Sequence, residues 1–171
     1  EWRCTVDQVF TWQQGNLVHL GAVESRACVA ASSAPGCGYD PDTGVFSDIY
    51  DGLQTNPVTG RMDSPPVRIA RRVEGGAFTT DQDLSWQLNR PLYRKSIACL
   101  KSVAAKGFGV ACEDSMEPWS ALVFAAKVSH YTGREAERTH LFERIAVDYC
   151  AKSADAQCAK RVAGLKRYSA G

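Results

Sequence analysis

The chain has no charge bias and no long apolar run. Its 171 residues carry a formal net charge of +1, so no excess of one sign attracts it to nucleic acid or to an anionic membrane surface. The most apolar stretch, residues 119–128, is interrupted by Ser120 and Lys127 and falls well short of the ~20 residues that cross a bilayer. The sequence therefore predicts no nucleic-acid partner and no membrane span.

The signatures of common catalytic and cofactor sites are also missing. We find no Gly-x-Ser-x-Gly motif, no phosphate-binding glycine-rich loop and no His-Glu-x-x-His motif. There is no Cys-x-x-Cys pair, and His19, His130 and His140 do not stand at zinc-finger spacing from any cysteine. We therefore expect no cofactor. The balance leans away from an enzyme, although active sites assemble in space rather than in sequence.

What the chain does have is seven cysteines. Cysteines spread along a chain of this size are typical of disulfides in an oxidising compartment. Short intervening segments favour three pairs, and they leave Cys4 free. The pairs are Cys28 with Cys37, Cys99 with Cys112, and Cys150 with Cys158. The competing interpretation is a reduced protein with buried thiols that pack as small hydrophobic groups.

Other features agree with a periplasmic or secreted protein of bacterial origin. The sequence begins at Glu1 without a signal peptide, as a processed mature chain would. It contains no Asn-x-Ser/Thr glycosylation site and is rich in alanine. We expect a partner that is itself a protein of the envelope or the extracellular space.

The hydrophobic pattern changes near residue 80. Strand-like alternation and turn residues come before it, and helical periodicity comes after it. The sequence predicts an α+β fold, with an N-terminal antiparallel β-meander followed by a disulfide-supported cluster of three to four helices. We expect a single domain over 1–171, with a β-rich lobe at 1–80 and a helical lobe at 81–171.

Four aspartates in the β-rich lobe are spaced like metal ligands. Asp40, Asp42, Asp48 and Asp51 resemble the ligand spacing of a calcium loop, but a glycine is misplaced and the flanks are strand-like. The related pentapeptides at 40–44 and 56–60 share Pro, Thr and Gly at the same positions, which is typical of β-turns. We interpret the segment as two turns. A calcium-stabilised structural module is an alternative.

Helix start signals divide the second half. Asn89 and Pro91 predict the start of a helix that runs to about Lys106, preceded by a short helix at 81–88. Residues 118–131 are apolar nearly all round, which predicts a central buried helix. Thr132 and Glu135 have the form of a capping box for a helix ending near Cys150, and a last helix covers about 153–165. Asp81 and Asp83 form an Asp-x-Asp pair that we attribute to helix capping.

The acidic residues and histidines of this half offer a weak catalytic alternative. His130 shares the phase of the inner residues of its helix, so we expect it to point into the core, while His140 lies on a charged face with Arg134, Arg138 and Arg144. A small secreted hydrolase acting on an envelope polymer would use His130 with Glu113, Asp114 or Glu117 as acid and base.

Two basic clusters remain. Arg68, Arg71 and Arg72 lie on a predicted strand, and we take them as candidate binding residues. The second cluster is Lys160, Arg161, Lys166 and Arg167. With no assembled catalytic set, the sequence favours an extracytoplasmic binding protein of an envelope or secretion apparatus, such as an inhibitor or an immunity-type factor.

Overall fold

The computed structural model describes residues 6–24, 38–40, 45–50, 65, 67–107, 112, 116–153 and 155–168. Strands come first and helices follow, so the predicted α+β class is confirmed. The chain divides into two compact units. Unit 1 comprises 1–52 and 66–85, and unit 2 comprises 53–65 and 86–171. The expectation of a single domain stays a prediction.

The described part of unit 1 contains six strands in two antiparallel sheets. Strands that follow one another along the chain pair with each other, as the predicted meander requires, with one exception. The second strand does not pair with the third, so the first two strands form a sheet of their own. The strands are β1 (Val6–Gln13), β2 (Asn16–Glu24), β3 (Gly38–Asp40), β4 (Val45–Tyr50), β5 (Val67–Glu74) and β6 (Ala77–Thr80). β6 was not expected from the sequence.

Two-residue turns fix the register of two hairpins. Gln14 and Gly15 join β1 to β2 with φ of 49° and 79°, and Gly75 and Gly76 join β5 to β6 with φ of 59° and 80°. Positive φ at both central positions suits the right-handed twist of the flanking strands, and glycine adopts it without steric cost. β3 and β4 pair antiparallel, with Asp40 opposite Val45, and residues 41–44, where we predict a turn, lie outside the described residues, as does the second pentapeptide.

The two sheets of unit 1 pack through a close contact between β2 and β6. A Cβ atom placed on Gly21 would lie 3.2 Å from Phe78 Cδ1, so only glycine gives this approach without displacing the ring. The four-stranded sheet also holds the start of the first helix. The Ser85 hydroxyl accepts a hydrogen bond from the Ala70 amide (2.8 Å) and donates to the Asp81 carbonyl (2.6 Å).

The helices of the second half are α1 (Gln82–Lys106), α2 (Pro118–Tyr131), α3 (Glu135–His140), α4 (Ala146–Lys152) and α5 (Cys158–Tyr168). A π-helical turn (Leu141–Ile145) joins α3 and α4 into one continuous helix. Every residue of α2 from Ser120 to Ser129 is buried, which confirms the central position predicted for this helix. Within the described residues, no helix is long and apolar enough to span a membrane.

Two predicted helix starts are wrong. α1 continues through Asn89 and Pro91 as a single helix. Pro91 cannot donate to the carbonyl of Gln87, but both residues are exposed, so water can hydrate that carbonyl. The capping box is also absent, because the Thr132 hydroxyl donates to the Val128 carbonyl of α2 (2.6 Å) instead.

Two disulfides support the helices. Cys99 of α1 is joined to Cys112, and Cys150 at the end of α4 is joined to Cys158 at the start of α5. They coincide with two of the three pairs that the sequence favours. Cys4, Cys28 and Cys37 lie outside the described residues.

Candidate binding surface

The β1–β2 hairpin carries large apolar side chains on its outer face. Trp12 is 70% exposed, Leu17 is 61% exposed and Phe10 is 49% exposed. A tryptophan this exposed is unusual, because its large ring gains more from burial than most other side chains. We call the surface formed by Gln8, Phe10, Trp12, Leu17 and His19 the hairpin face.

Strand register makes the hairpin face continuous. Trp12 stands directly opposite Leu17, and Phe10 stands opposite His19. The rings of Phe10 and His19 are in contact, with centroids 5.1 Å apart. The His19 Nε2 atom lies 2.6 Å from the Gln8 Oε1 atom in a hydrogen bond. These side chains therefore form one patch rather than isolated exposed groups.

The opposite face of the hairpin packs against the rest of unit 1. Val9 is buried, Gly21 contacts Phe78, and the Gln13 side-chain amide donates to the Gly76 carbonyl (3.2 Å). A register shift between Val9 and Phe10 lies at this point of the hairpin. Successive strand residues point to opposite faces, so burial of Val9 directs Phe10 and Trp12 outward. Sequence alternation alone does not tell which of the two faces is covered.

The three candidate arginines of β5 do not form one cluster. Arg68 and Arg72 alternate with Arg71 along the strand, so they point to the opposite face of the sheet. The Arg71 guanidinium lies over the Phe78 ring, 5.4 Å from its centroid. Arg72 forms an ion pair with Asp81 (2.8 Å).

A polar cavity of about 650 Å³ lies beside this ion pair. It is lined by Arg72, Val73, Glu74, Thr79, Thr80, Asp81, Gln82 and Asp83. Asp81 is fully engaged there, because its second carboxylate oxygen accepts a hydrogen bond from the Leu84 amide (2.8 Å). This is the N-cap bond of α1, as we expected for the Asp-x-Asp pair.

The environment of His130 differs from the expectation. Its side chain is only half-buried, because it stands one residue before the end of α2, where burial of the helix ceases. The imidazole contacts the Tyr131 ring, with centroids 5.0 Å apart. Burial, and then the positive charge of Arg138, lower the pKa of His130 below 6.5, and Glu135 opposes them.

The candidate acid–base residues do not meet along α2. Glu117 immediately precedes this helix and His130 lies near its end. A rise of ~1.5 Å per residue separates their Cα atoms by about 20 Å, too far for both to act on one bond. Glu113 and Asp114 lie outside the described residues.

Arg138, which we predicted on a charged face of its helix, is buried. Its Nη1 atom lies 3.2 Å from both carboxylate oxygens of Glu135, and its Nη2 atom donates to the Lys166 carbonyl (3.1 Å). The Lys166 carbonyl belongs to the last turn of α5, where no amide of the helix is left to donate to it. Leu141, Phe142 and Ile145 follow Arg138 at helical spacing, and that signal was enough to predict its burial.

The structure offers no metal centre within the residues it describes, since no three His, Cys, Asp or Glu side chains converge there. Of the four aspartates considered as calcium ligands, Asp42 and Asp51 lie outside those residues, as do the side chains of Asp40 and Asp48. Comparison with protein-family models, curated proteins and solved structures finds no match to this chain. The hairpin face is therefore interpreted from its own chemistry.

Proposed function

We propose that this chain is an extracytoplasmic, disulfide-containing binding protein that recognises a protein partner through the hairpin face. The partner belongs to the envelope or the extracellular space. The observation that carries the proposal is the 70% exposure of Trp12 beside exposed Leu17 and Phe10. Contiguous apolar patches on a protein surface mark interaction sites.

The charge distribution of the hairpin supports this assignment. Residues 8–22 contain no Asp, Glu, Lys or Arg. Exposed strands usually carry charges that prevent uncontrolled pairing with other chains. A hairpin that exposes tryptophan and lacks such charges gains from being covered by a specific partner.

The chemistry of the hairpin face favours an apolar protein surface as its ligand. Tryptophan is among the residues that contribute most to protein interfaces, particularly where a pocket on the partner encloses it. The Gln8–His19 pair supplies a polar margin beside Phe10. Such a face suits an inhibitor or an envelope module. The two disulfides favour an oxidising compartment.

The test is a photo-crosslinking experiment in the periplasmic, secreted and cytoplasmic fractions of the native cell. A benzophenone side chain at position 10 should crosslink to one protein, and Trp12→Ser with Leu17→Ser in the same chain should weaken capture of that protein about tenfold or more. Val147→Ser is the matched control, because Val147 is 57% exposed on α4, outside the hairpin.

The pattern across the variants decides the outcome. Capture that survives the double substitution, or that falls equally in Val147→Ser, contradicts the proposal. A partner found only in the cytoplasmic fraction contradicts the assigned compartment.

A further inference from the structure

The β1 strand has one edge that no described strand covers. Among the described strands, β1 pairs with β2 alone, whereas β2 also contacts β4 and β6. A strand at the border of a sheet presents backbone amides and carbonyls that are free to pair with another strand. We call the side of β1 that faces away from β2 the open edge.

The register of the hairpin tells which backbone groups lie on the open edge. Gln13 and Asn16 flank the two-residue turn, so they form a hydrogen-bonded pair. Hydrogen-bonded pairs alternate with non-hydrogen-bonded pairs along an antiparallel ladder. Trp12 and Phe10, one and three residues before Gln13, therefore direct their amides and carbonyls away from β2. Neither backbone has another hydrogen bond within the part of the chain that the structure describes.

The usual protections of an edge strand are missing from this part of β1. Charged residues, proline and bulges prevent most edges from pairing with other chains. Residues 8–13 contain no charged residue and no proline. The register shift of the hairpin places its extra residue, Leu20, in β2, so β1 keeps an unbroken alternation. The open edge is therefore able to accept a further strand.

The open edge and the hairpin face are formed by the same residues. The side chains of Phe10 and Trp12 are exposed on the hairpin face, while their backbone groups lie on the open edge. A strand that pairs with β1 would place every second side chain beside these two rings. A two-stranded sheet is only marginally stable, and a third strand would stabilise it.

We propose that the protein partner binds by adding an extended segment to the open edge as a third strand. The inference rests on the proposed function and specifies how the partner docks. The amides and carbonyls of Phe10 and Trp12 form the main-chain hydrogen bonds. Apolar side chains at alternate positions of the added strand extend the hairpin face and provide specificity.

A second copy of this chain is the less suitable occupant of the open edge. Two antiparallel β1 strands would be related by a twofold axis perpendicular to the sheet, so both hairpin faces would lie on the same side. Such a dimer would double the exposed apolar surface around Trp12 instead of covering it. A segment of another protein can belong to a domain that also covers the hairpin face.

The test measures binding of a cyclic β-hairpin peptide that has one free edge. Leucine and threonine alternate along this edge, so that the leucines lie beside Phe10 and Trp12, and N-methyl groups block the other edge. A control peptide carries N-methyl groups on both edges, which removes the donors and keeps the side chains. The wild-type chain should bind the first peptide with a Kd about tenfold or more below that of the control peptide.

A backbone ester at position 10 tests the same hydrogen bonds in the protein. It replaces the Phe10 amide N–H by oxygen and keeps the ring, and it should raise the Kd for the first peptide about fivefold or more. An ester at Thr80 is the matched control, because β6 is the edge strand of the other sheet and the Thr80 amide faces away from β5. The control should leave the Kd within about twofold of wild type, and circular dichroism should show an intact fold in both esters.

Equal binding of the two peptides overturns strand addition, and so does an unchanged Kd with the ester at Phe10. Loss of partner capture in Trp12→Ser with Leu17→Ser would still support the hairpin face in that case, so the two proposals fail separately. A wild-type chain that sediments as a dimer, and a Phe10 ester that does not, would assign the open edge to a second copy and also overturn the proposal.

Discussion

The apolar residues of α2 and those of the β1–β2 hairpin have opposite environments. In α2, Leu122 and Phe124 are completely buried, whereas Trp12 and Leu17 of the hairpin are mostly exposed. Both segments read as apolar in the sequence, and residues 8–22 of the hairpin and α2 together contain one Asp, Glu, Lys or Arg, which is Lys127. Lys127 is itself buried, and it has an interaction partner.

The sides on which neighbouring elements pack explain the difference. α2 packs against α3 and α5, which cover its sides. The hairpin is a two-stranded sheet that packs on β4 and β6 through one side only. A two-stranded sheet has a second face that its own unit leaves open, and the chain places aromatic residues there. Unit 2 thus buries its most apolar segment internally, while unit 1 leaves an apolar surface exposed.

The largest expected effect is the loss of stability when a buried side chain of α2 is truncated. Phe124→Ala should lower the free energy of unfolding by about 4 kcal/mol, because it removes a completely buried ring and leaves a cavity. Trp12→Ser should change it by no more than about 0.5 kcal/mol, because the ring is already in water. Denaturant unfolding followed by far-ultraviolet circular dichroism gives both values.

Leu122→Ala is the control for position within α2, and it should cost about 3 kcal/mol. A loss in Trp12→Ser as large as that in Phe124→Ala would show that the hairpin face is packed, and the contrast between the two regions would fail.

The next effect concerns the disulfides of unit 2. They close segments with sequence separations of 13 and 8. Chain entropy predicts losses of about 3 kcal/mol for Cys99→Ala with Cys112→Ala and about 2.5 kcal/mol for Cys150→Ala with Cys158→Ala. Denaturant midpoints measured without reductant give the two values.

Thiol titration of the denatured, unreduced chain accompanies this measurement. One free thiol is expected if Cys28 and Cys37 are also paired, and seven free thiols would contradict an oxidising compartment. Reductant should destabilise the wild-type chain and leave a variant without cysteines unchanged. An equal response of both would mean that the disulfides do not stabilise the fold.

The fold followed from the sequence where a local signal had no competitor. The change of pattern near residue 80 marked the passage from strands to helices, and the apolar run of α2 marked a buried helix. Predictions failed where a residue with a helix-start signal serves the preceding helix or is tolerated inside a helix. Thr132 has the form of an N-cap, yet its hydroxyl closes the end of the preceding helix. Pro91 is a typical helix start, yet exposure of its turn lets the helix continue.

The candidate site was less predictable, because the sequence does not tell which strand face is covered. Phe10 and Trp12 alternate with Thr11 and Gln13, a pattern that fits burial or exposure of the aromatic side. Which face of the hairpin is covered depends on Gly21, whose missing side chain lets β2 approach Phe78 of β6. The three arginines of β5 looked like one cluster only while strand alternation was left out of account.

The smallest expected effect is the pH dependence contributed by His130. Burial and Arg138 lower its pKa in the folded chain below 6.5, so the unfolded chain binds a proton at a higher pH than the folded chain. The stabilisation from the neutral imidazole is therefore complete above pH 6.5 and declines as the pH falls through the lowered pKa of the folded chain. Denaturant midpoints measured between about pH 5 and pH 8 should show a decline in stability towards low pH that His130→Gln reduces.

His140→Gln is the matched control, because His140 is exposed on α3, and it should keep the wild-type profile. If stability instead rises on acidification in the wild type and not in His130→Gln, the folded chain favours the protonated ring. Glu135 would then outweigh burial and Arg138 at the end of α2.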